Sequence, residues 1–215
     1  MHPLRLIVLL LLLLGGGYAR VAAAQGAVEG GLALGVNTAT LRTASDDDLG
    51  YRTTASGGLF AQVNAFGPLA VRGELLVSPK GVRIDTDRGE LTLKANYLEL
   101  PVLLVGYLPV ARTYTPHLMA GPAFGLKLYE RRGAPGISFR ADEPAFRRTD
   151  AGVTLGAGAS LGGAGALVVE VRYTLGLVDV TRRVTTPPLD ENLPPDGKNG
   201  VVSVMLRFGV GGRGQ

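Results

Sequence analysis

Cysteine and tryptophan are absent from the chain, and of its two histidines one, His2, lies at the extreme N-terminus. Without thiols an exported protein cannot rest on disulfides, and a zinc site would have only one histidine and carboxylates to draw on. An excess of either charge sign is also missing. The chain carries 22 basic and 18 acidic residues, so its sequence pI of about 9.6 reflects no clustered basic stripe of the kind nucleic acid calls for. Past residue 14 no apolar run approaches the roughly 20 residues that a membrane-spanning helix needs.

The one long apolar run is N-terminal. Arg5 supplies a positive start, residues 6–14 are unbroken Leu, Ile and Val, and Ala22, Ala23 and Ala24 form a small-residue cleavage signal. The pattern predicts a secretory signal peptide over residues 1–24, cut between Ala24 and Gln25. Gly15, Gly16 and Gly17 would interrupt a helical anchor. The remaining 25–215 is of a length expected for one domain. Discounting Arg5 and Arg20 leaves 20 basic against 18 acidic residues, a net charge near +2.

The abundant features are glycine, 32 residues, and alternation of apolar with small or polar side chains. Eight segments show the period of two that marks strands: about 27–38, 54–65, 69–78, a pair within 96–129, 150–161, 167–177 and 201–210. The seventh is the clearest, with Leu167, Val169, Val171, Tyr173, Leu175 and Leu177 opposing Val168, Glu170, Arg172 and Thr174. Connections alternate in length. Those at 66–68, 109–115 and 162–165 are short, whereas those at 39–53, 79–90, 130–148 and 179–199 are long and polar. An even strand number, short turns at one end and long loops at the other predict an all-β, eight-stranded antiparallel up-and-down transmembrane barrel in a bacterial outer membrane. Tyr107, Tyr114 and Tyr129 are expected in its interfacial girdle.

Tyr97-Leu98-Glu99-Leu100-Pro101, followed by Pro116-His117-Leu118-Met119-Ala120-Gly121-Pro122, resembles the signature of the PorT-like outer-membrane β-barrel proteins. Residues 73–81 resemble that family's Glu-Leu-x-Tyr-Ser-x-Lys-Gly strand end, and residues 171–177 its late Arg-Tyr-x-x-Gly-Leu strand. The resemblance spans essentially all of 25–215. It implies an eight-stranded barrel and, for most members, no assigned activity.

Alternation also assigns charges to the interior: Glu29, Arg72, Glu74, Glu99, Lys127, Glu170, Arg172 and Arg207. Four are acidic and four basic. An eight-stranded barrel is just wide enough for side chains to fill, so opposite charges there should pair. Two readings follow, a gated polar path and a structural salt-bridge plug. The balance of charge favours the plug, since ion-selective pores tend to show rings of one sign.

Other candidates are weaker. A Ser-His-Asp relay needs a positioned base and an orienting acid, but His117 falls at the short-turn end and is expected to be a polar or interfacial residue. Asp46, Asp47 and Asp48, and Asp85, Asp87 and Glu90, are oxygen-rich without the twelve-residue calcium-loop spacing. Gly152, Gly156 and Gly158 precede no helix and are expected to serve close packing. Arg131, Arg132, Arg140, Arg147, Arg148, Arg182 and Arg183 sit in expected outer loops. There they would either meet lipopolysaccharide phosphates or pair with Asp142, Glu143 and Asp150.

The expected function is therefore non-enzymatic, structural or interactive, in a monomer with no catalytic residue, metal or cofactor. A small pore or transporter and a lipid-modifying outer-membrane enzyme are the alternatives. A lipocalin-like calyx is disfavoured by the interior charges.

Overall fold

The structure is a computed structural model and describes residues 28–42, 50–86, 89–108, 114–134, 137–140, 144–161, 167–182 and 196–210. Its strands are β1 (Val28–Arg42), β2 (Arg52–Phe66), β3 (Leu69–Thr86), β4 (Gly89–Tyr107), β5 (Tyr114–Ala134), β6 (Ile137–Arg140), β7 (Thr149–Leu161), β8 (Leu167–Gly176) and β9 (Lys198–Val210). Apart from β6, neighbours in sequence are antiparallel neighbours in space, and β7 pairs with β5 across it. β1 closes on β9, with Leu32 opposite Phe208, and β4 closes on β5, with Leu100 opposite Phe124. Eight strands thus form a sealed cylinder, and β6 folds back on the far end of β5 as a short hairpin. Closure removes the unpaired edges that an open sheet would present.

The two faces divide as the alternation demands. Outward side chains are apolar and exposed, among them Leu34, Leu59, Val77, Leu104, Leu118, Phe124, Leu155, Val171, Val204 and Phe208. A continuous belt of this kind is far larger than the apolar patches a water-soluble monomer exposes and matches a lipid-facing surface. Inward positions are buried. Three apolar clusters line them: Ala33, Phe60, Leu76 and Met205 at mid-height; Ala70, Leu103, Val105 and Met119 toward the short-turn end; and a larger one at the long-loop end.

Parts of two expected loops, 79–90 and 130–148, are strand instead. Residues 79–86 and 89–90 continue β3 and β4 as paired strands, Val82 opposite Leu93 and Thr86 opposite Gly89. Residues 130–134 continue β5, and of these 131–134 pair with β6. Pro79 reads as a strand breaker, yet it is tolerated here. The β2–β3 ladder already ends at Gly57 and Val77, so no hydrogen bond to β2 requires its missing N–H. At the opposite end Gly67 turns the chain from β2 into β3 with φ of 52°, a conformation that favours glycine. The short links at 109–113 and 162–166, the predicted signal peptide and Asp46, Asp47 and Asp48 lie outside the described residues.

Candidate functional site

The interior is organised around Glu170 of β8. Its Oε1 accepts from Arg72 Nη1 of β3 at 2.8 Å, from Arg207 Nη2 of β9 at 2.6 Å, and bonds His117 Nε2 of β5 at 2.9 Å. Its Oε2 accepts from Arg172, two residues along β8. Arg172 then reaches across to β3, donating from Nη1 and Nη2 to Glu74 at 2.6 and 2.7 Å. Arg72 Nε donates to Gln62 of β2 at 2.9 Å, and Gln62 Nε2 donates to the Tyr107 hydroxyl at 2.9 Å. The Arg207 guanidinium lies 4.7 Å from the Phe60 ring centre. All of the ionised members are buried. Guanidinium suits this place, because its fixed fork bridges two carboxylates at once and holds its charge under burial.

A second tier lies nearer the long-loop end. Lys80 of β3 bonds Asp150 of β7 at 2.9 Å and also Glu99 of β4, with its ammonium 5.4 Å from the Tyr97 ring centre. Asn199 Nδ2 donates to Asp150 at 2.7 Å. Beside it, Ser56 donates to Asn37, and Asn37 Nδ2 to Ser78, at 3.0 and 2.9 Å.

Above this the mouth is covered. Backbone N–H groups of Ala145 and Phe146 donate to Glu130 at 2.8 and 3.1 Å, and Lys127 bonds Glu130 at 2.8 Å and the Phe146 carbonyl. Phe146 pairs with Thr181 as an isolated bridge, flanked by Arg147 N–H to the Val180 carbonyl at 2.6 Å and Arg182 N–H to the Ala145 carbonyl at 2.8 Å. The chain segments around Phe146 and Val180 therefore meet over the opening. Ala145, Phe146 and Val180 pack there against Leu41, Val82, Leu93, Ala95 and Tyr97.

Five of the eight charges assigned to the interior, Arg72, Glu74, Glu170, Arg172 and Arg207, converge in the central cluster. Glu99 and Lys127 join the two tiers above. Glu29 sits apart at the short-turn end, its carboxylate over Gly209 of β9. Interior residues that sequence reasoning missed are His117, Lys80, Asp150, Glu130 and Arg132, all buried. His117 is not interfacial: it stands on the inward face with Met119, and Gly158 leaves it room, since a Cβ there would lie 2.9 Å from Nε2. Tyr107 is likewise inside, bonded to Gln62, rather than in the girdle, whereas Tyr114 and Tyr129 are exposed. Asp150 pairs with Lys80 and Asn199 rather than with the loop arginines.

Those arginines divide. Arg131 lies outside against Tyr129, Arg132 is buried inside, Arg147 donates to the Thr181 carbonyl at 3.3 Å, and Arg148 and Arg182 are exposed. Arg183, Asp142 and Glu143, and the side chains of Arg140, Asp85 and Glu90, lie outside the described residues, as does Asp87. Gly152, Gly156 and Gly158 face β8 closely enough that a Cβ would crowd the carbonyls of Leu175, Val171 and Val169. Among the described residues no three carboxylate or imidazole groups stand close enough to hold a metal.

Comparison with known proteins gives a consistent architecture. The model of the outer membrane protein beta-barrel domain family matches residues 23–182. OprG, an outer membrane protein of Pseudomonas aeruginosa, is 14% identical, with 87% of this chain and 95% of that one covered and a TM-score of 0.50. Ail, the attachment invasion locus protein of Yersinia pestis, is 13% identical, covering 86% and 99%, with a TM-score of 0.42. The likeness to OprG concerns the fold alone, and the likeness to Ail carries no argument. No curated protein matches the chain.

Proposed function

The chain belongs to the outer membrane protein beta-barrel domain family, and from that premise we propose that it works as a sealed, non-enzymatic barrel presenting its outer rim to ligands, lipids or partner proteins. It resides in the bacterial outer membrane. The observation that carries the reading is the saturation of Glu170 by Arg72, Arg172, Arg207 and His117 from four strands, which fills the bore. A conduit needs mobile polar groups and water. Here each carboxylate of the cluster is held by charge-assisted bonds, and the mouth above is covered by Phe146 and Val180. With Lys80, Glu130, Asp150 and Arg132 added, these interior residues comprise six acidic and six basic groups, and among the described residues they form no single-sign ring of the kind a selective pore shows. Among the described residues no hydroxyl or carboxylate bonded to His117 is free to act as a nucleophile, since its partner Glu170 is already engaged, which argues against an enzyme.

The 97–101 and 116–122 segments, on adjacent strands β4 and β5, support placement in the PorT-like branch of the family. The reading keeps 1–24 as a cleaved signal, 25–215 as one barrel domain, and a monomer. It also keeps lipopolysaccharide as a partner of the rim arginines. Planar-bilayer recording from the purified full-length protein tests the central claim. No steady conductance above leak is expected, and a stable open level would overturn it. For the enzymatic alternative, lipid A from cells with and without the protein should carry identical acyl chains.

A further inference from the structure

Above Gly57 and Val77 the strands β2 and β3 part company, and β2 keeps only β1 as its ladder partner. The freed carbonyls of Pro79 and Lys80 are taken by side chains instead: Thr54 Oγ1 donates to Pro79 at 2.8 Å and Arg52 Nη1 to Lys80 at 2.7 Å. The split leaves a notch of about 500 Å³ on the outer wall, walled by Arg52, Thr54, Pro79, Lys94, Asn96 and Arg131, with Tyr129 and Ala55 completing it. Three of its lining residues are cationic and none is acidic. Among the described residues neither Lys94 nor Arg131 has a carboxylate partner, and Arg131 stacks its guanidinium 5.6 Å from the Tyr129 ring centre.

Its height on the barrel decides what can reach it. Outward residues of β4 run Leu104, Val102, Leu100, Leu98, then Asn96 and Lys94. On β5 they run Leu118 through Leu128 before Tyr129 and Arg131. Asn96 is opposite Tyr129 and Lys94 opposite Arg131, so the notch opens one step beyond the apolar belt, at the long-loop end. A spanning strand needs about 9–11 residues, whereas β4 has 19 and β5 has 21, which lifts this level clear of the hydrocarbon. Headgroups of the outer leaflet lie there, and a fork of guanidinium and ammonium groups with an amide is the donor set that phosphate oxygens accept from.

We infer that this notch is a binding site for a phosphate of an outer-leaflet glycolipid. The inference rests on the lipopolysaccharide reading above and gives it a location, on the wall between β2 and β5 rather than in the loops. The test uses full-length protein in detergent, incubated with bis-phosphorylated lipid A and analysed by native mass spectrometry. Wild type should retain the lipid, and Lys94→Gln/Arg131→Gln should lose retention on the order of 10-fold, as about two surface cations contribute. Fully dephosphorylated lipid A should bind wild type no better than the phosphorylated form binds the variant. Arg42→Gln/Lys198→Gln removes two cations from the opposite wall at the same rim and should leave lipid retention unchanged. Equal loss in both variants would mean diffuse attraction, and unchanged binding in the first would exclude the notch. Complete displacement by low millimolar inorganic phosphate would point to a free anion instead. Each of these overturns the inference while leaving a lipid partner elsewhere intact in the first two cases. Failure of wild type to retain any lipid A would overturn the lipopolysaccharide reading itself, and bilayer conductance is unaffected by either result.

Discussion

Arg172 of β8 grips Glu74 of β3 through both terminal guanidinium nitrogens, at 2.6 and 2.7 Å, across the middle of the barrel. The pair joins strands that are not neighbours in the sheet, so it ties opposite walls together. Breaking a buried pair from one side leaves an uncompensated charge, which typically costs about 3–5 kcal/mol, whereas replacing both partners with apolar residues is often neutral. Glu74→Ala is therefore expected to lower the unfolding free energy by about 3–5 kcal/mol, and Glu74→Met/Arg172→Met to recover most of it. Urea titration followed by the heat-modifiable gel shift measures both. Single and double variants of equal stability would show that the pair contributes little.

The central cluster also predicts how the bore would open. It holds Arg72, Arg172 and Arg207 against Glu74 and Glu170. Arg72→Ala/Arg207→Ala removes bulk from two walls and changes the sign of the local balance from one net positive charge to one net negative charge. Bilayer recordings of this variant should show conductance absent from wild type, with a preference for cations. An anion-selective level, or none, would mean that the current path or the seal lies elsewhere.

How much of this was legible beforehand depends on which physical signal each residue carries. In β8, Val171, Arg172 and Tyr173 alternate so plainly that the inward face follows from the side-chain period alone. The same parity, carried one turn of the pleat further, would have put His117 beside Met119 and Asp150 beside Thr154. Both lie at strand starts, where polar residues also suit a loop or an interface. Lys80 was hidden by Pro79, because the chain reads as ending its strand there. Only the loss of the β2 ladder, a tertiary event, makes that proline harmless. Partner choice was not legible. Arg172 meets Glu74 because of how far each strand is staggered around the cylinder, and stagger leaves no trace in one chain's hydrophobic pattern. Phe146 was also invisible as an interior residue, being a lone aromatic in a polar stretch without periodicity.

Outside the membrane-spanning region, Asp179 accepts from Lys198 Nζ at 2.8 Å. That hydrogen bond, helped by the positive charges of Lys198 and Arg147, holds the carboxyl below its ordinary range. A carboxylate whose folded pKa is depressed adds stability above its unfolded pKa and loses it as pH falls through the folded value. The contribution should thus be complete at neutral pH and fade only below about pH 4. Lys198→Gln should move the Asp179 midpoint upward, toward that of an ordinary aspartate, in a carboxyl-carbon NMR titration of the protein in micelles. An unmoved midpoint would mean that Lys198 is not what holds it down.

The cover over the mouth depends on one ring. Phe146 is 1% exposed, buried against Leu41, Val82, Leu93 and Tyr97, while the backbone around it is tied to Glu130 and to residues 180–182. Phenylalanine truncation in a packed site costs about 3–5 kcal/mol, and this cost should fall on closure of the cover rather than on the cylinder, whose ladders do not involve residue 146. Local opening is measurable separately from global unfolding. Phe146→Ala should therefore speed cleavage between β5 and β7 by added protease at least 100-fold, a factor that corresponds to about 3 kcal/mol, with the heat-modifiable shift of the barrel retained. Phe146→Leu, which keeps most of the apolar volume, should restore most of the protection. Equal cleavage in wild type and Phe146→Ala would show that the polar ties to Glu130 hold the segment down without the ring.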